Sequence, residues 1–221
     1  MSFPTDWHAH LWRGKAATVA RAVIPTGFPE LDRVLPGGGW PLGALTEILV
    51  DGYGIGELGL LMPALEALTK EDPAKPKKWV AWIAPPFIPY APALQQHGVN
   101  IDRLLMIHPT SGSKNRLWAI EQAVRSGSSA GVLAWVAAAD ADDIILRRLQ
   151  LAAEEQGCWV LLFRPANARL QRSPAALRIH LSQAQSATRL EIIKCRGGRP
   201  GVVDVAGFAL DGAASQASSG E

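Results

Sequence analysis

Cysteine is scarce in this chain, with two residues, Cys158 and Cys195, in 221. Both lie in apolar, strand-like contexts, so reduced core thiols are expected rather than a disulfide or a metal site. No apolar run reaches the roughly 20 residues that a membrane-spanning helix needs. The start, Met-Ser-Phe-Pro-Thr-Asp-Trp-His, has neither the basic n-region nor the apolar h-region of a secretory signal. The expectation is a cytoplasmic protein that does not enter a membrane. No internal repeat occurs, and no break in composition marks a second domain. Metal-ligand spacing is missing too. His8 and His10, on a helix, would face different directions with no acid or cysteine nearby, which leaves them as surface histidines. No nucleophile–base–acid set stands out. His97 and His108 sit beside turns, and His180 lies on an amphipathic segment without a serine–carboxylate partner.

Hydrophobic content of 48% with 19% charged residues is that of a globular protein with a sizeable core. The sequence reads as one domain, residues 22–210. It is preceded by an amphipathic segment, residues 1–21, and followed by a small, polar tail, residues 211–221, expected to be disordered. In the first segment Trp7, Leu11 and Trp12 are candidates for docking on a partner or on the chain's own core. Net charge is +2, but it is unevenly spread. Residues 164–199 carry eight basic residues against one acid, Glu191. Of these, Arg164, Arg169, Arg172, Arg178, Lys194, Arg196 and Arg199 are candidate contacts for an acidic protein or for phosphates. The alternative is a solvated arginine face near a sheet edge.

Strand and helix patterns alternate along the chain. Strands are expected at Ala44–Val50, Trp79–Ala84, Leu104–His108, Gly131–Ala137 and Cys158–Phe163. Helices are expected at Glu30–Leu35, Leu58–Leu68 with Pro63 at its start or at a kink, Tyr90–Gln96, Ser113–Ser126 and Asp140–Gln156. Continuous apolar strands alternating with helices predict an α/β fold, a mostly parallel sheet covered on both faces. Residues 170–181 read as a loop and short helix. Arg189–Cys195 and Val202–Leu210 read as a C-terminal antiparallel hairpin at a sheet edge.

One stretch organises the rest. Strand Ala44–Val50 runs into a glycine loop holding Gly52, Gly54 and Gly56, and the loop runs into an apolar helix. A phosphate-binding loop sits in such a place, and it needs a lysine and a hydroxyl after its last glycine. Here those residues are Glu57 and Leu58. A carboxylate facing a triphosphate instead of a cation reverses an interaction of roughly 4 kcal/mol at surface-like dielectric.

Several segments carry a family resemblance. Pro25-Thr-Gly-Phe-Pro-Glu-Leu-Asp32, Gly37-Gly-Gly39 and Leu42–Ile48 resemble the approach to the phosphate loop in the RecA family. Tyr90-Ala91, Gly98-Val-Asn-Ile-Asp-Arg-Leu-Leu105 and Pro109 look like that family's third strand. Ala123-Val-Arg-Ser-Gly127 continues in register, so the resemblance covers residues 22–163. Within that superfamily, Leu11-Trp12-Arg13, Pro36-Gly-Gly-Gly-Trp-Pro41, Ser173-Pro-Ala-Ala-Leu-Arg178 and Lys194-Cys-Arg-Gly-Gly198 resemble the ImuA family. These are translesion-synthesis accessory proteins of bacterial damage-response cassettes. The group shades into SulA, the division inhibitor that blocks FtsZ assembly.

The resemblance implies a RecA-like core that has lost its nucleotide chemistry. The family's catalytic carboxylate would fall at Pro85-Pro86, and its Walker B strand ends here as Leu133-Ala134-Trp135-Val136. With Glu57 and Leu58, three separate losses oppose ATP hydrolysis. No cofactor and no catalytic residue is therefore expected. The implied role is an accessory or scaffold protein of the SOS response. Its partners would be RecA, an ImuB-type Y-family-like protein and the error-prone replicative-type polymerase. Direct DNA contact would be weak and salt-sensitive, through Arg164, Arg169 and Arg172, because the loop between Phe163 and Ser173, which the resemblance implies as a DNA-contacting loop, has no aromatic residue for base stacking. A SulA-like inhibitor of FtsZ is the alternative reading. An ATP-binding RecA-like protein is the third, and the missing lysine, hydroxyl and carboxylates count against it.

Overall fold

In a computed structural model, residues 22–74, 76–110, 112–184 and 187–206 are described. The N-terminal segment with Trp7, Leu11 and Trp12 and the tail 211–221 lie outside them. The chain opens with a small ribbon, β1 (Val23–Ile24) and β2 (Trp40–Pro41), around α1 (Pro29–Asp32). Then follow β3 (Ala44–Val50), α2 (Met62–Thr69), β4 (Trp79–Ile83), α3 (Ala91–Gln96), β5 (Leu104–Ile107), α4 (Ser113–Arg125), β6 (Ser129–Trp135), α5 (Asp143–Gln156) and β7 (Trp159–Pro165). Three strands close the described chain: β8 (Leu177–Ala184), β9 (Ala187–Cys195) and β10 (Gly201–Ala206).

Strands β3 to β10 form one sheet in the order β10-β9-β8-β3-β7-β6-β4-β5. The six strands from β8 to β5 run parallel, and β9 and β10 are antiparallel additions. Each residue of β3 is buried, as expected of a strand with neighbours on both edges and helices over both faces. On one face, Leu61 and Leu65 of the α2 region pack with Trp82, Trp135, Trp159 and Phe163. Trp135 lies between Trp82, at 5.8 Å, and Phe163, at 4.9 Å and nearly parallel. Such aromatic pairs add about 0.5–1.5 kcal/mol each beyond area burial. On the other face, Ile120 and Val124 of α4 and Leu146 and Leu149 of α5 pack with Val132, Val160 and Leu162. This is the mostly parallel α/β sheet that the alternating pattern predicts.

Three expectations need correction. Residues 171–176 are a loop as expected, but no short helix follows. Leu177–Ala184 is a strand seated beside β3, so the C-terminal part is a three-stranded antiparallel run and not a lone hairpin. The free edge of β3 provides the physical reason, because the central strand would otherwise leave its backbone unpaired in the core. The second correction concerns α5, which starts at Asp143. Asp142 stands before it as N-cap, its Oδ1 accepting the N–H of Ile145 at 2.9 Å. Asp140 stays outside the helix and pairs with Arg116 of α4 at 2.8 Å. Thirdly, α1 ends at Asp32, short of Leu35. Strand β10 ends at Ala206, and the remainder of the expected strand to Leu210 lies outside the described residues.

The interior also holds a charged group. Glu47, in the middle of β3, is fully buried. Its carboxylate accepts from Arg164 of β7 at 2.7 Å and from Arg178 of β8 at 2.5 Å. One anion for two guanidinium groups leaves an excess positive charge in the core. Neutral oxygens absorb it. Arg164 also donates to the carbonyls of Ala138 and Ala141 and to Gln171 Oε1, and Arg178 to the carbonyls of Gln171 and Ala168. The triad therefore clamps the loop after β6 and the loop after β7 to the central strand.

Glu47→Gln keeps the shape and removes the charge. We expect it to cost about 3–5 kcal/mol, because two buried guanidinium groups lose their counter-ion. Urea denaturation measures this, and a loss under about 1 kcal/mol would mean a solvent-screened pair. Burial pushes the Cys158 thiol up to about 12 and raises that of Cys195. Cys158 in the native protein is then neutral at pH 8 and resists maleimide, with labelling appearing only on unfolding; mass spectrometry reads the outcome.

A glycine loop closed by its own carboxylate

Strand β3 delivers the chain to the carboxyl edge of the parallel sheet, where ligands of open α/β folds bind. Residues 51–58 turn there, pass through a short 3-10 turn, Gly59–Leu61, and enter α2 with Pro63 in its first turn. Gly54 and Gly56 have φ of 82° and 89°, a region that side chains disfavour, so glycine is required at both. A side chain at Gly54 would also meet the ring of Phe87 at 3.7 Å.

The loop turns its amides inward, and Glu57 folds back onto them. Both carboxylate oxygens accept the N–H of Gly54 at 3.1 Å, and Oε2 accepts that of Ile55 at 3.0 Å. Glu57 is only 4% exposed. Successive backbone N–H groups in such a turn form a concavity suited to an anion. Here the chain supplies the anion itself. The carboxylate sits on donors of the kind that cradle a phosphate, and a phosphate would have to displace it. Leu58, in the place of the metal-binding hydroxyl, packs on the core.

The surroundings offer little to reverse this. Burial raises the phenol of Tyr53, the charge of Glu57 raises it further, and Arg116 opposes them. Arg116 is a cation whose charge reaches Tyr53, and Asp140 holds it. The loop is tied down from β8: His180 Nε2 lies 3.3 Å from Asp51, and Gln183 donates to the carbonyl of Ile55. Past β4, Ala84 takes a φ of 52°, rare for a residue with a side chain, and turns the chain outward. Pro85 and Pro86 follow, and then Phe87, Ile88 and Tyr90, exposed to 65%, 90% and 73%. At the end of β6, the aromatic ring of Trp135 stands in the core where the resemblance would put a carboxylate.

The structure brings Gly52, Gly54, Gly56, Glu57 and Leu58 together in one turn. It does not bring the seven basic candidates together. Arg164 and Arg178 are interior, spent on Glu47, and present no surface to DNA or to a partner. Their charge suggested exposure, but a buried carboxylate on the adjacent strand β3, far earlier in the chain, holds them. Arg169 makes a two-pronged pair with Glu191 at 2.7 and 2.5 Å. Arg172 and Arg199 are exposed, with no hydrogen bond or ion pair among the described residues. Lys194 and Arg196 line a cleft against α5. The sequence reading missed Glu47, although an acid inside an otherwise apolar strand was a signal that a cation must be near. It also missed the ridge at Phe87, Ile88 and Tyr90, whose exposure follows from the turn at Ala84.

Comparison with known proteins identifies relatives of the chain. The family model described as cell division inhibitor SulA matches residues 44–161. Protein ImuA of Caulobacter vibrioides, strain NA1000 / CB15N, is 31% identical over 205 residues, covering 81% of each chain. Protein ImuA of strain ATCC 19089 / CIP 103742 / CB 15 of the same organism matches equally.

Removing the Glu57 carboxylate should open the concavity. In Glu57→Ala, the amides of Gly54 and Ile55 lose an ionic acceptor worth about 1.5–3 kcal/mol. Hydrogen exchange by NMR should then be at least about tenfold faster at these two amides. Unchanged exchange would show that the carboxylate does not hold them.

Proposed function

We propose that this chain, which belongs to the ImuA family and has a core of the SulA type, is a non-catalytic accessory protein of the SOS response to DNA damage. It supports error-prone translesion synthesis through contacts with RecA and with an ImuB-type partner, and through the latter with the error-prone replicative-type polymerase. Its core is of the RecA kind, with the nucleotide site retired. The observation that carries this reading is the Glu57 carboxylate seated on the amides of the glycine loop. Two further positions support it: prolines follow β4 and a stacked tryptophan ends β6, so neither position supplies an acid to polarise water or hold magnesium.

A site without chemistry leaves surfaces to do the work. The ridge of Phe87, Ile88 and Tyr90 stands beside the closed loop, and exposed aromatic and aliphatic side chains grouped in this way mark protein contacts. Basic residues are held mostly by internal acids, so DNA contact is at most a minor, salt-sensitive contribution.

Binding assays test the reading. Purified protein should bind an ImuB-type partner and RecA, and Phe87→Ala with Ile88→Ala should weaken at least one of these about tenfold or more. Binding to neither partner would sink the proposal. The double variant Glu57→Lys, Leu58→Thr should release no phosphate from ATP, since the two other carboxylates stay missing; turnover there would show the site to be misplaced. The family model across residues 44–161 favours one second reading, inhibition of FtsZ. Sedimentation of FtsZ polymers with and without this protein separates it from the first: unchanged pelleting excludes it.

A further inference from the structure

A cleft of about 420 Å³ lies between α5 and the end of β9. From α5 come Arg147, Leu151 and Glu154; from the C-terminal part come Pro174, Lys194 and Arg196. Three cations thus share the cleft with one carboxylate. That carboxylate is occupied, as Arg196 meets Glu154 at 3.3 Å and Gln150 donates to it at 3.0 Å. Arg147 reaches Asp143 at 3.5 Å but stays largely in solvent. Lys194 is the unspent group. Its ammonium donates to the carbonyl of Ser173 at 2.7 Å and makes no ion pair among the described residues. An ammonium has three donors, so two remain for a ligand. Burial lowers its pKa, the charges of Arg196 and Arg178 lower it further, and the carboxylates of Glu47 and Asp143 oppose them in part. An anion in the cleft would relieve that excess charge.

The geometry points to this cleft as a docking site for an acidic, apolar segment of a protein partner, with a carboxylate on Lys194 and an apolar side chain on Leu151 and Pro174. Leu151 is 51% exposed, which supplies the apolar wall. Nucleic acid fits less well. Among the described residues, no aromatic side chain on which a base could stack lines the cleft. Three cations converge on this pocket, and Arg164 and Arg178 are interior and cannot extend them into a track. This inference rests on the reading of the protein as a partner-binding scaffold and adds to it the chemistry of one contact.

Fluorescence anisotropy tests it, with a labelled peptide of repeated Asp-Leu-Glu-Leu units and a labelled oligo-dT as probes. The peptide should bind saturably, and more weakly as salt rises. Lys194→Glu and Arg147→Glu should each weaken it about tenfold or more, and Arg33→Glu, outside the cleft, should not. Arg147 is a solvent-facing helix residue, so its reversal keeps the test valid should Lys194→Glu disturb folding. Tighter binding of oligo-dT through the same residues overturns the inference, as does failure to bind the peptide or indifference to both reversals. A pull-down with the ImuB-type partner separates the two levels. Capture unaffected by Arg147→Glu overturns the cleft and leaves the scaffold reading standing. No capture of this partner or of RecA, with the peptide still bound, supports the cleft and removes the scaffold reading.

Discussion

The carboxyl side of the sheet depends on Glu47. A charged residue in the middle of a central strand is tolerated only when its partners are built around it. Arg164 and Arg178 come from the strands on either side, and their remaining donors hold the loops after β6 and β7. These are the loops that could otherwise move or reach outward. The triad thus positions the start of α5 and the approach to β8, and with them the floor of the basic cleft.

The glycine loop shows a second use of the same physics. Inward-facing amides need an acceptor, and an anion is the strongest one available. In a nucleotide-binding protein the ligand brings it. In this chain Glu57 does, from two and three residues away. The loop keeps its tight strand-to-helix turn while its donors are satisfied internally. Beside the loop, the neighbouring connection offers surface: the chain turns at Ala84, and Phe87, Ile88 and Tyr90 stand in solvent.

Much of the architecture was legible in the sequence because buried parallel strands and capped helices leave local patterns. Strand Ala44–Val50 is found with the expected bounds, and Gly157 ends α5 in the left-handed conformation. Strand β8 was not legible. The Ser173-Pro174 and Ala175-Ala176 just before it made the region read as a loop and short helix, and its strand form comes from the slot between β3 and β9. In the site, the absence of lysine was plain, but the return of Glu57 onto the loop amides was not, since sequence carries no backbone orientation. The exposed basic face was misread for a related reason. Arginine is rarely buried, and the Glu47 that buries Arg164 and Arg178 lies more than a hundred residues earlier.

The central claim is that Glu57 holds the loop's donors and leaves a triphosphate no site. Equilibrium titration of the native protein with a fluorescent ATP analogue, with and without magnesium, tests it most directly. The account predicts no saturable binding up to about 1 mM, an affinity weaker than about 4 kcal/mol. Micromolar, magnesium-dependent binding would contradict it.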